Sequence, residues 1–421
     1  MFASPLRLNL RICCTYGTPV RERLDIWPTF LILVGYYTYG RPGGLSRTDE
    51  DNIVAALEQT SRICEVWLRV SGRLMERIAE VMQEPFPALT HLILESGDKN
   101  VPVLPGEFLG RSAPCLRALS LKGIPFPALP ILLPSASDLI MLTLSDIPQT
   151  GYISPQAMVA SLATLTRLRH LSLEFRSPKS RPDQIRLYPT TRSVLPALTS
   201  FIFHGVREYL EDFAARIDAP QLHSISIVYF NQLVDFDAPQ IFRIIDHSEA
   251  LKRPIDCRID FGSTSVFFDV SSTDVDIGIY IKCEGIDWQV SHLTQALSWT
   301  SLVPSNIVHL TIESYFDPNE LIPEDLNDIE WLQLLNLFSS VQTLIVSKQL
   351  ARHISRALEV IADGVVITEV LPALDMLCLE GQSVSSVDKF IAARHDSGRP
   401  VSIVDTRNEF EERLKSPTYM R

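Results

Sequence analysis

The stretch "FPALTHLIL" at residues 86–94 returns almost letter for letter as "LPALTSFIF" at 195–203 and "LPALDMLCL" at 371–379. Each copy has a proline, a leucine two residues later, and then two apolar residues one position apart. This pattern is P-x-L-x-x-Φ-x-Φ, where Φ is an apolar residue, and it recurs as "PCLRALSL" at 114–121 and "PQLHSISI" at 220–227. An apolar residue at every second position is typical of a short strand with one buried face. The stretch therefore predicts a β-strand that is repeated along the chain.

The spacing of the copies indicates one repeated structural unit. Without the proline, the core L-x-x-Φ-x-Φ also occurs at residues 63–68, 139–144, 168–173, 307–312 and 341–346. Its first seven copies begin 26, 27, 23, 29, 30 and 24 residues apart, close to the leucine-rich-repeat period of about 20–29 residues. A single repeat cannot bury its own leucines, whereas stacked repeats can. We therefore predict an α/β fold, an irregular leucine-rich-repeat solenoid with a curved parallel sheet and helices on its convex side.

The segments between the strands carry helix signals. The segment 154–171 begins with Ser154 as a candidate N-cap and with Pro155 at the first helical position. The segment 206–217 places apolar residues on one helical face. The proline that leads many copies favours a turn into a strand, because it cannot donate a ladder hydrogen bond.

Residues 254–286 break the repeat pattern. They contain three short alternating runs, "DCRIDFG", "SVFFDVS" and "VDIGIYIKC", which predict antiparallel strands joined by polar turns. We therefore predict one solenoid over residues 1–405, with a small β-rich interruption at 254–286 and longer repeats at 287–405. A charged tail follows at 406–421.

The composition is that of a globular protein. The 421 residues are 46% hydrophobic and 21% charged, and 38 Lys and Arg face 50 Asp and Glu, for a net charge of −12. This balance argues against nucleic acid or a membrane surface as a partner. The most apolar stretch, at 30–40, is shorter than the roughly 20 residues that span a bilayer, and the N-terminus lacks the uninterrupted apolar core of a signal peptide. We therefore expect a cytoplasmic or nuclear location.

The outward side chains of the predicted strands form the candidate site. In each L-x-x-Φ-x-Φ copy the third, fifth and seventh positions point away from the buried layer, because side chains alternate along a strand. Stacked copies then place these positions on one concave face, which we expect to bind a protein. The candidate binding residues are His91, Glu95, Lys122, His170, Glu174, His204, His309, Glu313 and Glu380.

Histidine and glutamate recur together on this face, which raises the question of a metal site. Neighbouring strands lie about 4.8 Å apart, so His91 and His170, three repeats apart, are about 14 Å from each other. Positions three and seven of one strand are also too far apart, at roughly 13 Å. The sequence contains no phosphate-binding loop, nucleophile elbow or zinc-protease motif. We therefore expect no enzyme, no metal and no cofactor.

Four longer segments carry a more specific signal: "FASPLRLNLRICCTYGTPVRERLDIWP" at 2–28, "GYISPQAMVASLATLTRLRHLSLEFRSPKSRPD" at 151–183, "TRSVLPALTSFIFHGVREYLEDFAARIDAPQL" at 191–222 and "KFIAARHDSGRPV" at 389–401. With them, the chain resembles the leucine-rich-repeat region of F-box-like proteins of mushroom-forming fungi. This resemblance implies substrate recognition for an SCF ubiquitin ligase, in which an N-terminal F-box docks on the adaptor subunit and the repeats hold the target. An F-box would precede "FASPLRLNL", so we expect adaptor binding only if an upstream F-box exists.

The function that we expect from these observations is a non-enzymatic protein-binding repeat module of this kind. Its partner is a protein target that the sequence does not identify. The alternative is a stand-alone leucine-rich-repeat scaffold or sensor that is unrelated to ubiquitin. A third alternative, an enzyme built in the segment 254–286, would need converging His, Asp or Cys side chains.

Overall fold

The computed structural model describes residues 11–36, 45–98, 101–177, 192–230, 238–247, 255–272, 276–300, 305–316, 326–362, 370–381 and 384–404. The charged tail predicted at 406–421 lies outside the described residues. The chain divides into an N-terminal unit, residues 1–222, and a C-terminal unit, residues 223–421. Both units have a mixed α/β fold in which most strands are parallel.

The main sheet of the N-terminal unit is built from parallel strands, each beside its predecessor, in the order β1-β2-β3-β4-β5-β6-β7-β9. These strands are β1 Arg11–Cys14, β2 Leu31–Tyr36, β3 Ile63–Arg69, β4 His91–Glu95, β5 Ala118–Lys122, β6 Met141–Ile147, β7 His170–Phe175 and β9 Ser200–Gly205. A short parallel pair is formed by β8 Ser193–Val194 and β10 Ile217–Asp218. The helices of this unit are α1 Val20–Ile26, α2 Arg47–Leu57, α3 Gly72–Val81, α4 Leu129–Leu132, α5 Pro155–Leu162 and α6 Arg207–Ala215.

The repeated Pro-x-Leu triplet forms a turn that leads into each strand. The Leu89 N–H donates to the Phe86 carbonyl at 3.1 Å, which places Pro87 at the second position of a four-residue turn. Proline favours this position because its fixed φ matches the turn. The same bond joins leucine to the residue three positions earlier at Leu116–Ala113, Leu198–Leu195, Leu222–Ala219 and Leu374–Leu371. The strands therefore begin two residues after the repeated leucine.

The repeated apolar positions stack into a buried layer. Leu92, Leu119, Leu142 and Leu171 are successive register partners on β4 to β7, and each is at most 1% exposed. Helices contribute further buried side chains, such as Met158 and Leu162 of α5. Full burial of a leucine side chain stabilises a fold by about 1.5–3 kcal/mol, so this stack is a main source of cohesion in the unit.

The helix predicted from residue 154 begins as expected and ends early. The Ser154 hydroxyl accepts a hydrogen bond from the Ala157 N–H at 3.3 Å, and Pro155 is the first helical residue. The helix stops at Leu162, because a turn through Leu165 and Leu168 brings the chain into β7.

The C-terminal unit has the strand order β11-β14-β13-β12-β15-β16-β17-β18. Its strands are β11 Ser224–Tyr229, β12 Ile255–Gly262, β13 Ser265–Ser271, β14 Asp276–Lys282, β15 Ile307–Tyr315, β16 Thr343–Val346, β17 Met376–Leu379 and β18 Ser402–Ile403. Its helices are α7 Pro239–Asp246, α8 Ile286–Ser298, α9 Asp328–Asn336, α10 Lys348–Ala362 and α11 Asp388–Asp396.

The three alternating runs between residues 254 and 286 are strands β12, β13 and β14, and they lie within the sheet. β14 pairs with β11 and β12 pairs with β15, both in parallel, while β13 runs antiparallel between β12 and β14. The segment thus lies within the sheet, and β13 is antiparallel to both of its neighbours as the alternating runs predicted. The physical reason is that its alternating apolar residues extend the buried layer: Cys257, Ile259, Phe261, Val266, Phe268, Val270, Ile277, Ile279 and Ile281 are all buried.

Helix α8 packs against β12 and β13 on the buried side of this segment. The Gln289 side chain is fully buried, and its Nε2 donates to the carbonyls of Gly262 at 2.7 Å and Cys283 at 3.0 Å. Gly262 is the last residue of β12, and Cys283 directly follows β14. The helix therefore fixes the three-strand segment through hydrogen bonds as well as apolar contacts.

Candidate protein-binding surface

The third positions of the repeats form a row across the N-terminal unit. His91, Ala118, Met141, His170 and Ser200 are successive register partners on β4, β5, β6, β7 and β9. Three strand spacings therefore separate His91 from His170, about 14 Å, as the sequence predicted. At this separation the two histidines cannot bind the same metal ion. His170 is exposed and His91 is half-buried.

The seventh positions form a second, charged row. Glu95 and the exposed Lys122 are register partners on β4 and β5, and the half-buried Glu174 and His204 are partners on β7 and β9. A register shift between β6 and β7 separates the two pairs. The Glu174 carboxylate also accepts a hydrogen bond from the Ser172 hydroxyl at 2.7 Å. Opposite charges on neighbouring strands, such as those of Glu95 and Lys122, attract each other modestly. Since the row contains both glutamate and lysine side chains, it offers both signs of charge to a partner.

The environment of His91 keeps its imidazole neutral. Burial lowers the pKa of His91, and the nearby guanidinium groups of Arg11 and Arg117 lower it further. The His91 Nδ1 shares a 2.9 Å hydrogen bond with the Thr90 hydroxyl. Arg11 in turn forms an ion pair with Glu65, the register neighbour of His91 on β3. His91 therefore serves as a neutral hydrogen-bonding group on this face.

The nine candidate residues omitted the largest side chain on this surface, Trp67 of β3. It is 41% exposed, and its register partners are Gly35 on β2 and Ile93 on β4. Gly35 carries no side chain, and the Leu33 side chain lies close to it, with Cδ2 3.3 Å from where a Cβ would stand. Trp67 occupies the fifth position of the copy "ICEVWL" at 63–68, and the rule that defined the outward positions would have identified it.

In the C-terminal unit the predicted residues have different environments. His309 is exposed on β15, whereas Glu313 is half-buried and accepts hydrogen bonds from Arg258 Nη2 at 2.8 Å and from the Tyr315 hydroxyl at 3.0 Å. Glu380 accepts a hydrogen bond from the Lys348 backbone N–H at 3.3 Å, at the start of α10. A carboxylate at a helix N-terminus is stabilising, so Glu380 has a structural task.

The sequence reasoning also missed a surface that strands β12 to β15 build together. Their outward side chains include five carboxylates, three aromatic rings and one arginine, which we call the acidic-aromatic patch: Asp256, Arg258, Asp260, Phe267, Asp269, Asp276, Tyr280, Glu313 and Tyr315. The signal was present in the alternation itself, because the residues between the buried positions of β12 are Asp256, Arg258 and Asp260.

Arg258 occupies the centre of this patch. Its Nε donates to Asp260 Oδ1 at 2.8 Å and its Nη2 donates to Glu313 Oε2 at 2.8 Å. Its guanidinium carbon also lies 5.5 Å from the centre of the Tyr315 ring, within the range of a cation–π contact. One guanidinium thus contacts two carboxylates and one aromatic ring.

Two carboxyl groups of the patch, those of Asp269 and Asp260, have a raised pKa. Burial raises the pKa of Asp269, and the negative charges of Asp276 and Asp260 raise it further. Burial also raises the pKa of Asp260, although Arg258 opposes this shift. Both shifts have the direction that burial of a carboxyl group among other negative charges produces.

The described residues show no arrangement that could hold a metal ion, since no group of three His, Cys, Asp or Glu side chains converges there. A cleft of about 340 Å³ in the N-terminal unit has three prolines among its lining residues, with Glu76 and Arg176 as its ionisable groups. No helix in the described part of the chain is long and apolar enough to cross a bilayer.

Comparison of the chain with protein-family models and with curated proteins finds no match.

Proposed function

We propose that this chain is a non-enzymatic protein-binding module, an irregular leucine-rich-repeat solenoid that holds a protein partner on the outward face of its strands. The observation that carries the proposal is the alignment of the outward positions in register, from His91 through Ala118 and Met141 to His170. Such rows form an extended surface of side chains on a rigid sheet, which is the form of surface that repeat proteins use for binding.

Trp67 is the expected anchor of the contact in the N-terminal unit. Tryptophan is enriched among the residues that dominate binding energy in protein interfaces. Trp67 has Ile93 beside it, and the charged pair Glu95 and Lys122 lies one row further along the strands. An apolar centre bordered by charged groups is the usual arrangement of a protein interface.

The resemblance to F-box-like proteins directs the proposal towards ubiquitin. On this basis the partner is a protein that is held for ubiquitin transfer. The stand-alone scaffold or sensor remains the alternative, and the two differ in the fate of the partner. A ligase target carries ubiquitin and accumulates when the proteasome is inhibited, whereas a scaffold partner does neither.

Site-specific photo-cross-linking tests the binding face. A photoreactive phenylalanine analogue replaces Ser120, which is outward on β5, or Glu80, which is exposed on α3, and the cells of origin are irradiated with and without a proteasome inhibitor. We expect discrete cross-linked proteins from position 120 and none from position 80, and loss of these products in a Trp67→Ala background. Equal products from both positions would refute the binding face. Products without ubiquitin would favour the scaffold.

A further inference from the structure

We infer that the acidic-aromatic patch of the C-terminal unit binds an extended, arginine-rich segment of the partner protein. This inference rests on the proposed function and names the chemistry of the partner at one part of the face. It uses three features of the described structure: the charge of the patch, the aromatic rings within it, and the way in which the chain's own Arg258 is bound there.

The charge of the patch is strongly unbalanced. Arg258 bonds to Asp260 and Glu313, while Asp256, Asp269 and Asp276 form no ion pair with any cation in the described part of the chain. Lys282 adds one positive charge at the far end of β14. Like charges on neighbouring strands destabilise a sheet, so a cationic partner would relieve a repulsion that is present in the free protein.

Aromatic side chains separate these carboxylates. Phe267 on β13 is register partner to both Tyr280 on β14 and Asp260 on β12. Its ring lies over Gly278, where an added Cβ would be 3.1 Å from the nearest ring carbon. Only a residue without a side chain leaves room for the ring in this position. The result is a half-buried aromatic surface with carboxylates beside it.

Arg258 shows what such a surface binds. Its guanidinium lies against the Tyr315 ring and bonds two carboxylates at the same time. The surface around Phe267 offers the same combination, because its ring lies over Gly278, the register partner of Asp269, and Asp276 is two residues from Gly278 on β14. Arginine suits this combination better than lysine does, since its planar group both stacks on rings and forms paired hydrogen bonds with carboxylates. Charge complementarity thus identifies the occupant as a segment rich in arginine.

The size of the patch fits a short extended segment. From β14 to β15 the patch spans three strand spacings, about 14 Å. This length corresponds to about four residues of extended chain. Alternate residues of an extended segment point to the same side, so arginines at every second position would all reach the patch.

Fluorescence anisotropy with the full-length protein tests the inference. The probe is a fluorescein-labelled nonapeptide in which four arginines alternate with serines, and the matched peptides carry lysine or glutamine at the four positions. We expect the arginine peptide to bind, the lysine peptide to bind at least threefold more weakly, and the glutamine peptide not to bind. The affinity of the arginine peptide should fall steeply between about 50 mM and 150 mM salt, because the contacts are between charges.

Matched variants locate the binding site on the protein. Asp269→Asn combined with Asp276→Asn removes two carboxylates from the patch and should weaken binding at least tenfold. Phe267→Leu keeps an apolar side chain but removes the ring, and should weaken binding about fivefold. The control is Glu80→Gln combined with Glu84→Gln, which removes the same charge from exposed positions of the N-terminal unit and should stay within twofold of wild type. Circular dichroism confirms that each variant is folded.

Several outcomes would overturn the inference: no binding of the arginine peptide to the wild type, equal losses in the patch and control variants, or equal binding of the glutamine peptide. Calcium binding that disappears in the Asp269→Asn and Asp276→Asn variant, without an effect on the peptide, would show that the patch holds a cation instead. If no peptide binds while a cross-linker at Ser120 still captures a protein, this inference fails and the proposed function stands. If the cross-linker captures nothing, the proposed function fails.

Discussion

Replacement of Leu119 by alanine should destabilise the N-terminal unit by about 3–4 kcal/mol. Leu119 is fully buried between its register partners Leu92 and Leu142. The change removes three carbon atoms, worth about 0.8 kcal/mol each in transfer from water, or about 2.4 kcal/mol in total. A cavity between two fixed leucines adds to this cost, since measured Leu→Ala losses in cores reach about 2.7–5.0 kcal/mol.

The control is Ser120→Ala, one residue further along the same strand. Ser120 is outward and half-buried, and a substitution of this kind usually changes stability by less than about 0.5 kcal/mol. Urea denaturation followed by circular dichroism gives both free energies from the midpoint and the slope. Hydrogen exchange should show the loss of protection in β4 to β6. Similar losses for the two variants, or a loss below about 1 kcal/mol for Leu119→Ala, would refute the alternation on which the binding face depends.

Two further predictions concern the backbone and the pH. Gly123 has φ of +70°, and an added Cβ would lie 2.4 Å from the Ser96 carbonyl oxygen. Gly123→Ala should therefore lower the free energy of unfolding, measured by urea denaturation, by more than about 1–2 kcal/mol. The control is Gly97→Ala, where an added Cβ meets nothing within 4 Å and the free energy of unfolding should change little. Burial lowers the pKa of His292 and of His353, and two nearby arginines lower that of His353 further. The unfolded chain therefore binds more protons than the folded one, and stability should be complete above about pH 6.5 and fall as the pH decreases below it, by up to about 1.4 kcal/mol per pH unit for each histidine. Urea midpoints between pH 8 and pH 5.5 should fall less in a double His→Gln variant at these two positions, and an equal fall in this variant would contradict the prediction.

The repeated strands could be predicted from the sequence because one pattern indicated two things. Its alternation showed where each strand lies, and its spacing showed which strands are neighbours in the sheet. The third positions His91 and Ala118 are register partners as the repeat spacing required. The beginning of each strand was less certain, since the repeated Leu89 and Leu116 could equally open a strand or close a turn. Their backbone N–H groups donate to the carbonyls of Phe86 and Ala113, which shows that each leucine ends a turn.

The environment of individual side chains could be predicted less well. The pattern showed that Glu313 and Glu380 are outward, but it did not show that Arg258 binds one and the start of a helix binds the other. Both contacts join residues more than 30 positions apart in the sequence, and no local rule selects such partners. The order of β12, β13 and β14 was hidden for the same reason, because alternating runs specify which face is buried but not which neighbour is chosen. The binding role of the outward residues stays a prediction.

The strand order of the C-terminal unit has an evolutionary consequence. If β13 and β14 are removed from the order, β11, β12 and β15 remain, and each lies beside its predecessor in sequence. Because β13 and β14 are two strands of opposite direction, their presence does not change the direction of any other strand. A single additional strand joined by a tight turn would have reversed the direction of every later repeat. A hairpin is thus the smallest addition through tight turns that keeps the direction of a parallel array. The hairpin in this chain supplies two of the three aromatic rings and two of the five carboxylates of the patch, so its gain or loss in one genetic event would change the chemistry of the whole surface.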